Sequence, residues 1–341
     1  MSAAATAFDV FRLHGGKVEA ARALFPEVRS EWIDLSTGIS PWAYPHERID
    51  EGAFTRLPDA ESIAELEHAA ARSFGVEGSA CVIATPGSDL ALRLLGPMYS
   101  GRRVAVVRPG YSGHVLAWGD APFTTIDADD LESAARDRDV IVLANPNNPD
   151  GRVFSRERLL AVRAELASRS GTLIVDEAFA DVVPEQSVCT APREGLIVFR
   201  SFGKFFGLAG LRLGFVIAAP PEQRLFRQAL GDWPICGPAV AIGTAAYRDV
   251  EWQTMQRARV RSAALRLDAL LTQAGFAIAG GTALFRLARC VDANAAFVHL
   301  ASRGILTRPF SSDPTLLRFG LPADESHWAR LTKALIGRRT Q

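Results

Sequence analysis

One lysine of this chain lies in an unusual setting, the apolar and glycine-rich segment Arg200-Ser-Phe-Gly-Lys-Phe-Phe-Gly-Leu-Ala-Gly-Leu-Arg-Leu-Gly214. The apolar run 195–199 before it predicts a buried strand. The segment offers a hydroxyl at Ser201, an amine at Lys204 and a guanidinium at Arg212. An ammonium group is rarely buried without a functional reason. A surface loop with incidental basic residues is the alternative interpretation.

The segment does not match the common nucleotide-binding glycine motifs. A P-loop, G-x-x-x-x-G-K-[ST], needs glycine and Ser or Thr at the positions that Val198 and Phe205 occupy here. The dinucleotide fingerprint G-x-G-x-x-G is also absent from the segment. These exclusions leave a lysine able to form a Schiff base, with an anion site beside it.

Composition limits the classes of protein to which the chain can belong. Its 341 residues, 48% of them hydrophobic and 22% charged, suit a globular protein with one large and one smaller domain. The formal net charge of zero predicts no nucleic-acid or membrane partner. The start lacks the features of a secretory signal, and the scattered cysteines suit neither zinc nor disulfides, so we expect a cytoplasmic protein without a metal.

Apolar runs alternate with helical patterns across residues 45–235. This alternation predicts a mainly parallel sheet that is covered on both faces, an α/β fold. Residues 1–40 are expected to form an irregular arm, and the prolines within 220–238 to mark a boundary. The predicted strands are 80–84, 104–107, 124–126, 140–144, 172–175, 196–199 and 215–218, then 276–279, 284–287, 305–308 and 316–319 in the second domain.

Polar side chains follow several of the predicted strands. Ser88 and Asp89 come after a strand and a glycine turn, where the N–H groups of a helix start can bind phosphate. Tyr111, Asn148 and Asp176 stand at or just past the ends of three further strands. Open α/β sheets bind ligands at that edge. Packing for Tyr111 and loop capping for Asp176 are the alternatives.

This set of residues suits pyridoxal 5′-phosphate (PLP). Lys204 would form the Schiff base, and Asp176 would keep the pyridine nitrogen protonated. Tyr111 would stack on the ring, and Asn148 would donate to the phenolate oxygen. We therefore predict Lys204, Asp176 and Tyr111 as catalytic residues.

The phosphate of PLP requires a separate group of residues. Arg212 and Ser201 would bind it together with the N–H groups around Ser88 and Asp89. The predicted cofactor site thus uses five segments of the chain.

Four motifs carry a family resemblance: Pro86-Gly-Ser-Asp89, Asn147-Asn-Pro-Asp-Gly151, Val175-Asp-Glu-Ala-Phe179 and Ser201-Phe-Gly-Lys-Phe-Phe-Gly-Leu-Ala-Gly-Leu-Arg212. In order and spacing, the chain resembles the fold-type I, aspartate-aminotransferase-like PLP-dependent enzymes over almost its whole length. The resemblance implies a large PLP-binding domain with a mainly parallel sheet, a smaller α+β domain built from both termini, and a homodimer. The implied limits are 1–44 for the arm, 45–238 for the large domain and 239–341 for the small domain.

Two subfamilies are similar to the chain: the histidinol-phosphate aminotransferases and the threonine-phosphate decarboxylases of cobalamin biosynthesis. The start, with His14-Gly-Gly16 followed by Asp34-Leu-Ser-Thr-Gly-Ile-Ser-Pro41, resembles the decarboxylases. Phe179 replaces the tyrosine that is usual in the aminotransferases, and Ile305-Leu-Thr-Arg-Pro-Phe310 also resembles the decarboxylases. Leu57 stands where relatives often carry a tyrosine that reaches the neighbouring subunit's cofactor.

The resemblance also implies residues that bind the substrate. Arg318 matches the arginine that pairs with the substrate carboxylate. Arg308 is the candidate for a substrate phosphate, with His14 as a helper, and a structural ion pair is the alternative for Arg308. The other residues expected to contact the substrate are Gly38, Ile39 and Asn148.

The resemblance implies decarboxylation of L-threonine O-3-phosphate to (R)-1-amino-2-propanol phosphate, in cobalamin biosynthesis. Lys204, or a water that it positions, would return a proton to Cα. Histidinol-phosphate transamination is the alternative, because it uses the same parts on a different bond. A non-catalytic PLP-binding module is a remote alternative.

Overall fold

The computed structural model describes residues 8–46, 48–78 and 81–336. The chain forms two compact units. The small unit comprises residues 1–42, 149–151 and 255–341, and the large unit comprises 43–148 and 152–254. The domain limits expected from the sequence, 1–44, 45–238 and 239–341, stay a prediction.

Short strands make up three sheets in the described part of the chain. The strands are β1 Ile33–Asp34, β2 Val82–Thr85, β3 Val104–Arg108, β4 Phe123–Asp127, β5 Val140–Ala144, β6 Thr172–Asp176, β7 Leu196–Ser201, β8 Gly214–Ile217, β9 Ala277–Thr282, β10 Phe285–Arg289, β11 Ile305–Leu306, β12 Arg308–Pro309 and β13 Leu316–Gly320.

A sheet of seven described strands organises the large unit, in the order β2-β8-β7-β6-β5-β3-β4. Its neighbours run parallel except at β8, which is antiparallel to both β2 and β7. The mainly parallel sheet and the α/β class predicted from the sequence are confirmed. Every residue of β5 and β6 is buried, as expected for central strands covered on both faces.

Helices cover the sheet and complete both units. They are α1 Asp9–Leu13, α2 Val18–Leu24, α3 Gly52–Thr55, α4 Ala60–Ser73, α5 Ser88–Arg93, α6 Leu95–Met98, α7 Ser112–Leu116, α8 Leu131–Asp137, α9 Arg156–Ala167, α10 Phe202–Phe205, α11 Pro220–Leu230, α12 Gly237–Arg248, α13 Val250–Gln273, α14 Ala293–Ala301 and α15 Glu325–Ile336. Short 3-10 turns cover Ala128–Asp130, Ala180–Val182, Pro184–Gln186 and Ala209–Leu211.

Two helical regions differ from the sequence prediction. The arm, expected to be irregular, contains the short helices α1 and α2. Residues 220–238, expected to be a boundary, hold α11 and the start of α12 within the large unit. A proline in the first turn of a helix is well tolerated, because the N–H that it lacks would have no intrahelical partner there. Pro220 therefore begins α11 and does not mark a linker.

The small unit contains an antiparallel sheet in the order β12-β13-β10-β9 and a parallel pair of β1 with β11. The predicted single strand 305–308 is two strands, β11 and β12, which belong to different sheets. In the sheet, Arg308 of β12 stands directly opposite Arg318 of β13.

None of the helices in the described part of the chain is both long enough and apolar enough to span a bilayer.

Candidate active site

The predicted cofactor residues of the large unit lie at one edge of its sheet. Asp176 is the last residue of β6, and Ser201 is the last residue of β7. Tyr111 follows β3, and Lys204 lies in α10 directly after β7. The carboxyl ends of parallel strands meet at one edge, where open α/β sheets place their ligand site. The structure therefore brings these four residues to the same edge of the sheet.

A buried histidine holds the carboxylate of Asp176. His114 is fully buried, and its Nε2 lies 2.9 Å from Asp176 Oδ2. The N–H of Ala178 donates to the other oxygen, Oδ1, at 3.1 Å. Since an ionised carboxylate only accepts hydrogen bonds, Nε2 carries the proton in this pair. Asp176 is thus fixed from two sides, as a carboxylate that pairs with a pyridinium nitrogen needs to be.

His114 could not be recognised as a site residue from the sequence alone. Its only local signal is its position in Tyr111-Ser-Gly-His114, one helical turn after the tyrosine at the start of α7. The partner, Asp176, comes from β6, which is separated from β3 in the sheet by β5.

The ring of Tyr111 is fixed by three neighbours. Its hydroxyl donates to Asp89 Oδ1 at 3.0 Å, and the ring of His114 meets it edge-on at a centroid distance of 5.6 Å. A side chain at Gly113 would overlap the Tyr111 ring. Burial, and next the negative charge of Asp89, raise the pKa of Tyr111 well above its usual range. Tyr111 is therefore a neutral ring held in one orientation, which suits stacking on a flat ligand.

An anion could be held between the start of α5 and Arg212. Arg212 has a left-handed backbone, φ 51°, and its Nη2 lies 2.9 Å from the position that a side-chain carbon at Gly87 would take. Gly87 itself has φ 84°, a backbone conformation that favours glycine, and it lies against the guanidinium of Arg212. At Gly214, a Cβ would lie 2.5 Å from the backbone nitrogen of Ser88. Backbone N–H groups and a guanidinium together suit a phosphate group.

The remaining predicted residues of the large unit, Asn148, Ser201 and Lys204, are half-buried. Asn148 follows Asn147, whose side chain donates to the carbonyl of Pro109 at 2.8 Å and whose N–H donates to that of Arg152 at 2.8 Å. Asn148 therefore lies in a turn that the hydrogen bonds of Asn147 hold in place.

An ion network that the sequence alone does not reveal lies next to these residues in the chain. Arg200 donates to Glu177 Oε2 at 3.1 Å and to Asp181 Oδ1 at 2.5 Å, and all three residues are buried. Glu177 follows Asp176, and Arg200 precedes Ser201. The network thus ties the end of β6 to the end of β7.

Two arginines form the candidate anion site of the small unit. Arg318 and Arg308 are 3% and 8% exposed and occupy directly opposed positions on β13 and β12. Arg318 Nη2 donates to the carbonyl of Ser36 at 2.6 Å, and Arg308 Nη2 donates to that of Leu13 at 2.9 Å. Burial, and next the charge of Arg308, lower the pKa of Arg318 well below its usual range, while Asp34 opposes this shift.

The other predicted substrate residues, His14, Gly38 and Ile39, lie in the same unit. His14 directly follows Leu13, the residue that accepts from Arg308. Gly38 is buried and Ile39 half-buried, in the segment just after Ser36, which accepts from Arg318. Each of these residues is therefore a near neighbour in sequence of a residue whose carbonyl binds one of the two arginines.

The described residues offer no metal site, because no group of His, Cys, Asp or Glu among them is arranged to hold an ion. The four cysteines are free thiols.

Comparison with known proteins identifies related chains. The family described as "Aminotransferase class I and II" matches residues 19–335. A threonine-phosphate decarboxylase from Pseudomonas aeruginosa is 44% identical over 95% of this chain and 97% of its own length. A threonine-phosphate decarboxylase from a Sinorhizobium species is 37% identical, with 95% and 97% covered.

The fold agrees with a solved structure, that of the histidinol-phosphate aminotransferase from Sinorhizobium meliloti in complex with pyridoxal-5′-phosphate. The TM-score is 0.81 at 24% identity, over 93% of this chain and 92% of that one. A family match over most of the sequence, with relatives of this similarity covered almost completely, identifies the family directly. The chain belongs to the class I and II aminotransferase family, whose fold is that of the fold-type I PLP-dependent enzymes.

Proposed function

We propose that this chain is a PLP-dependent lyase that decarboxylates L-threonine O-3-phosphate to (R)-1-amino-2-propanol phosphate, a step of cobalamin biosynthesis. The similarity to two threonine-phosphate decarboxylases supports the reaction. The observation that carries the substrate class is the opposed pair of buried arginines, Arg308 and Arg318.

Like charges placed directly opposite each other on an antiparallel pair of strands destabilise it. Arg308 and Arg318 are both almost fully buried, so water screens their repulsion poorly. A ligand with two anionic groups relieves this repulsion. Threonine phosphate has two such groups, a carboxylate for Arg318 and a phosphate for Arg308, with His14 beside it and Gly38 and Ile39 along the same segment.

The residues of the large unit fit PLP. Asp176 is braced for the pyridinium nitrogen, and Arg212 with Gly87 forms a cradle that a side chain at that glycine would fill. Lys204 is the amine that would hold the cofactor covalently, and Tyr111 would stack on its ring. Asn148 would donate to the phenolate oxygen, and Ser88, Asp89 and Ser201 would help to bind the phosphate.

When bound, PLP supplies an electron sink for the pair left at Cα after CO2 departs. Arg318 orients the carboxylate that leaves. The Nζ of Lys204, or a water that it positions, delivers the proton that replaces the carboxylate at Cα. His114 holds the Asp176 carboxylate in one orientation, because its Nε2–H donates to that carboxylate.

Histidinol-phosphate transamination is the second candidate, since a histidinol-phosphate aminotransferase from Aeromonas hydrophila is 28% identical over 83% of this chain. Histidinol phosphate carries a phosphate but no carboxylate and would engage one arginine of the pair. Glutamate, the amino donor of such enzymes, has two carboxylates and could engage both. The two reactions can therefore be distinguished by their products.

We also propose that the protein works as a cytoplasmic homodimer. Phe54, Leu57 and Trp233 are 67%, 66% and 59% exposed, and large exposed apolar side chains favour a protein–protein interface. Helix α3, which holds Phe54, packs against the start of α12, shortly after Trp233. PLP and phosphorylated amino acids are too strongly charged to cross a bilayer unaided, which favours a cytoplasmic site of reaction. Sedimentation equilibrium of the protein and of Phe54→Lys tests the dimer; a monomeric native protein would refute it.

The decisive experiment is a product assay of the PLP-loaded protein with threonine phosphate, with and without 2-oxoglutarate. We expect CO2 and aminopropanol phosphate in both reactions. If no CO2 appears, and amino groups pass between histidinol phosphate and 2-oxoglutarate, the protein is an aminotransferase. Binding of PLP without turnover of either substrate would support a non-catalytic module.

A further inference from the structure

We propose that Ser36 is a positioning residue that sets the separation of the Arg308 and Arg318 guanidinium groups, and thereby selects substrates by the distance between their two anionic groups. This inference rests on the proposed function. Ser36 itself need not touch the substrate; it acts through the two backbone segments on which the arginines are anchored.

Ser36 forms four hydrogen bonds, and it is only 2% exposed. Its hydroxyl accepts from the N–H of Gly16 at 2.8 Å and donates to Asp34 Oδ1 at 2.5 Å. Its own N–H donates to the same Asp34 oxygen at 2.8 Å. Its carbonyl accepts from Arg318 Nη2 at 2.6 Å.

These bonds join the anchors of the two arginines. Arg308 is anchored on the carbonyl of Leu13, three residues before Gly16 in the chain. Arg318 is anchored on Ser36 itself. The Ser36 hydroxyl is therefore a direct link between the segment that orients one guanidinium and the segment that orients the other.

The contact between the two segments is close. A side chain at Gly15 would overlap the carbonyl of Ser36, so the glycine turn lies directly on this residue. Ser36 also holds Asp34, whose negative charge opposes the lowering of the Arg318 pKa. Loss of the Ser36 hydroxyl would remove its bonds to the glycine turn at Gly16 and to the Asp34 carboxylate, without replacing either arginine.

The experiment compares Ser36→Ala with Ser40→Ala in the holoenzyme. Ser40 is a matched control, because it is 3% exposed and its hydroxyl bonds to Trp42 and Gln256 instead of to the arginine anchors. For Ser36→Ala we expect KM for threonine phosphate to rise about five- to tenfold with kcat within about twofold, because the hydroxyl's bonds to Gly16 and Asp34 are both lost. We expect Ser40→Ala to keep the native KM.

A second readout does not depend on turnover. Calorimetric titration of the holoenzyme with inorganic phosphate, in a phosphate-free buffer, should give about five- to tenfold weaker binding for Ser36→Ala and native binding for Ser40→Ala. If Ser36→Ala does not fold, Ser36→Cys serves instead, because a thiol is a weak hydrogen-bonding group.

Two outcomes would overturn the inference. One is native phosphate binding and native KM in a folded Ser36 variant. The other is a fall in kcat or thermal stability with unchanged KM, which a purely structural role would produce. Failure of the native enzyme to release CO2 would refute the proposed function, and the phosphate titration would still test Ser36.

Discussion

Replacing His114 should separate the contribution of its hydrogen bond from the rest of the site. In His114→Asn, the shorter side chain cannot reach the place of Nε2, so Asp176 loses the 2.9 Å bond and keeps only the N–H of Ala178. His114 is 0% and Asp176 5% exposed, so bulk solvent does not reach this pair. A hydrogen bond to a charged group contributes about 1.5–3 kcal/mol. PLP should therefore bind about ten- to hundredfold more weakly.

The assay is a double-mutant cycle on the apoprotein, unfolded in urea, with His114→Asn, Asp176→Ala and the double variant. The cost of the lost ring volume cancels in the cycle, because it is the same in His114→Asn and in the double variant. We expect a coupling free energy of about 1.5–3 kcal/mol. Absorbance titration with PLP then tests the change in affinity.

His114→Gln is the matched control. Its longer side chain can bring an N–H towards the place of Nε2, so it should recover much of the coupling and of the PLP affinity. A coupling below about 0.5 kcal/mol, the usual error of additivity, would show that the two side chains do not support each other.

Three further results are expected. Lys204→Ala should carry no covalently attached PLP after borohydride reduction, as measured by mass spectrometry, and should turn over about 10²–10⁴-fold more slowly. Arg200→Met should lose about 3–5 kcal/mol of unfolding free energy in urea, because it removes the cation that pairs with two buried carboxylates. Arg248→Met, whose partner is an exposed carboxylate, should lose about 0–1 kcal/mol. Arg158 lowers the pKa of Glu132 below its ordinary value of 4.5, so the stability from this pair is present above that pH and is lost as pH falls. The Tm difference between Arg158→Ala and the native protein should therefore shrink below pH 4.5.

Each of these predictions has a contrary outcome. A reduced covalent adduct in Lys204→Ala would place the attachment on another amine. Equal losses in Arg200→Met and Arg248→Met would mean that burial of the ion network does not matter. A Tm difference for Arg158→Ala that stays constant from pH 7 to pH 3 would remove Glu132 as the titrating partner.

The sequence predicted the central strands well, because burial on both faces makes them continuous apolar runs. β5 begins and ends at the predicted residues, 140 and 144. The helical segment after the glycine turn at Gly87 is interrupted: it is two helices, α5 and α6, that meet at Leu94. Pro97 lacks the N–H for a continuous helix and is tolerated in the first turn of a new one.

The candidate site was predictable only where one local segment carries the signal. Lys204 and Asp176 are recognisable from their own motifs, whereas the role of His114 depends on a contact between α7 and β6, which lie far apart in the sequence. The opposition of Arg308 and Arg318 depends on the register of β12 and β13, which a one-residue shift would abolish. Roles for these residues stay predictions.

The opposed arginines also affect how the protein should behave before it meets substrate. Repulsion between the two buried arginines reduces the free energy of unfolding of the small unit when no anion is bound. An anion that binds there therefore stabilises the fold by mass action. Resistance to heat and to proteases should therefore rise with phosphate concentration, and should rise most in the segments next to β12 and β13. In a cell, the abundance of the enzyme would then follow the supply of its own substrate.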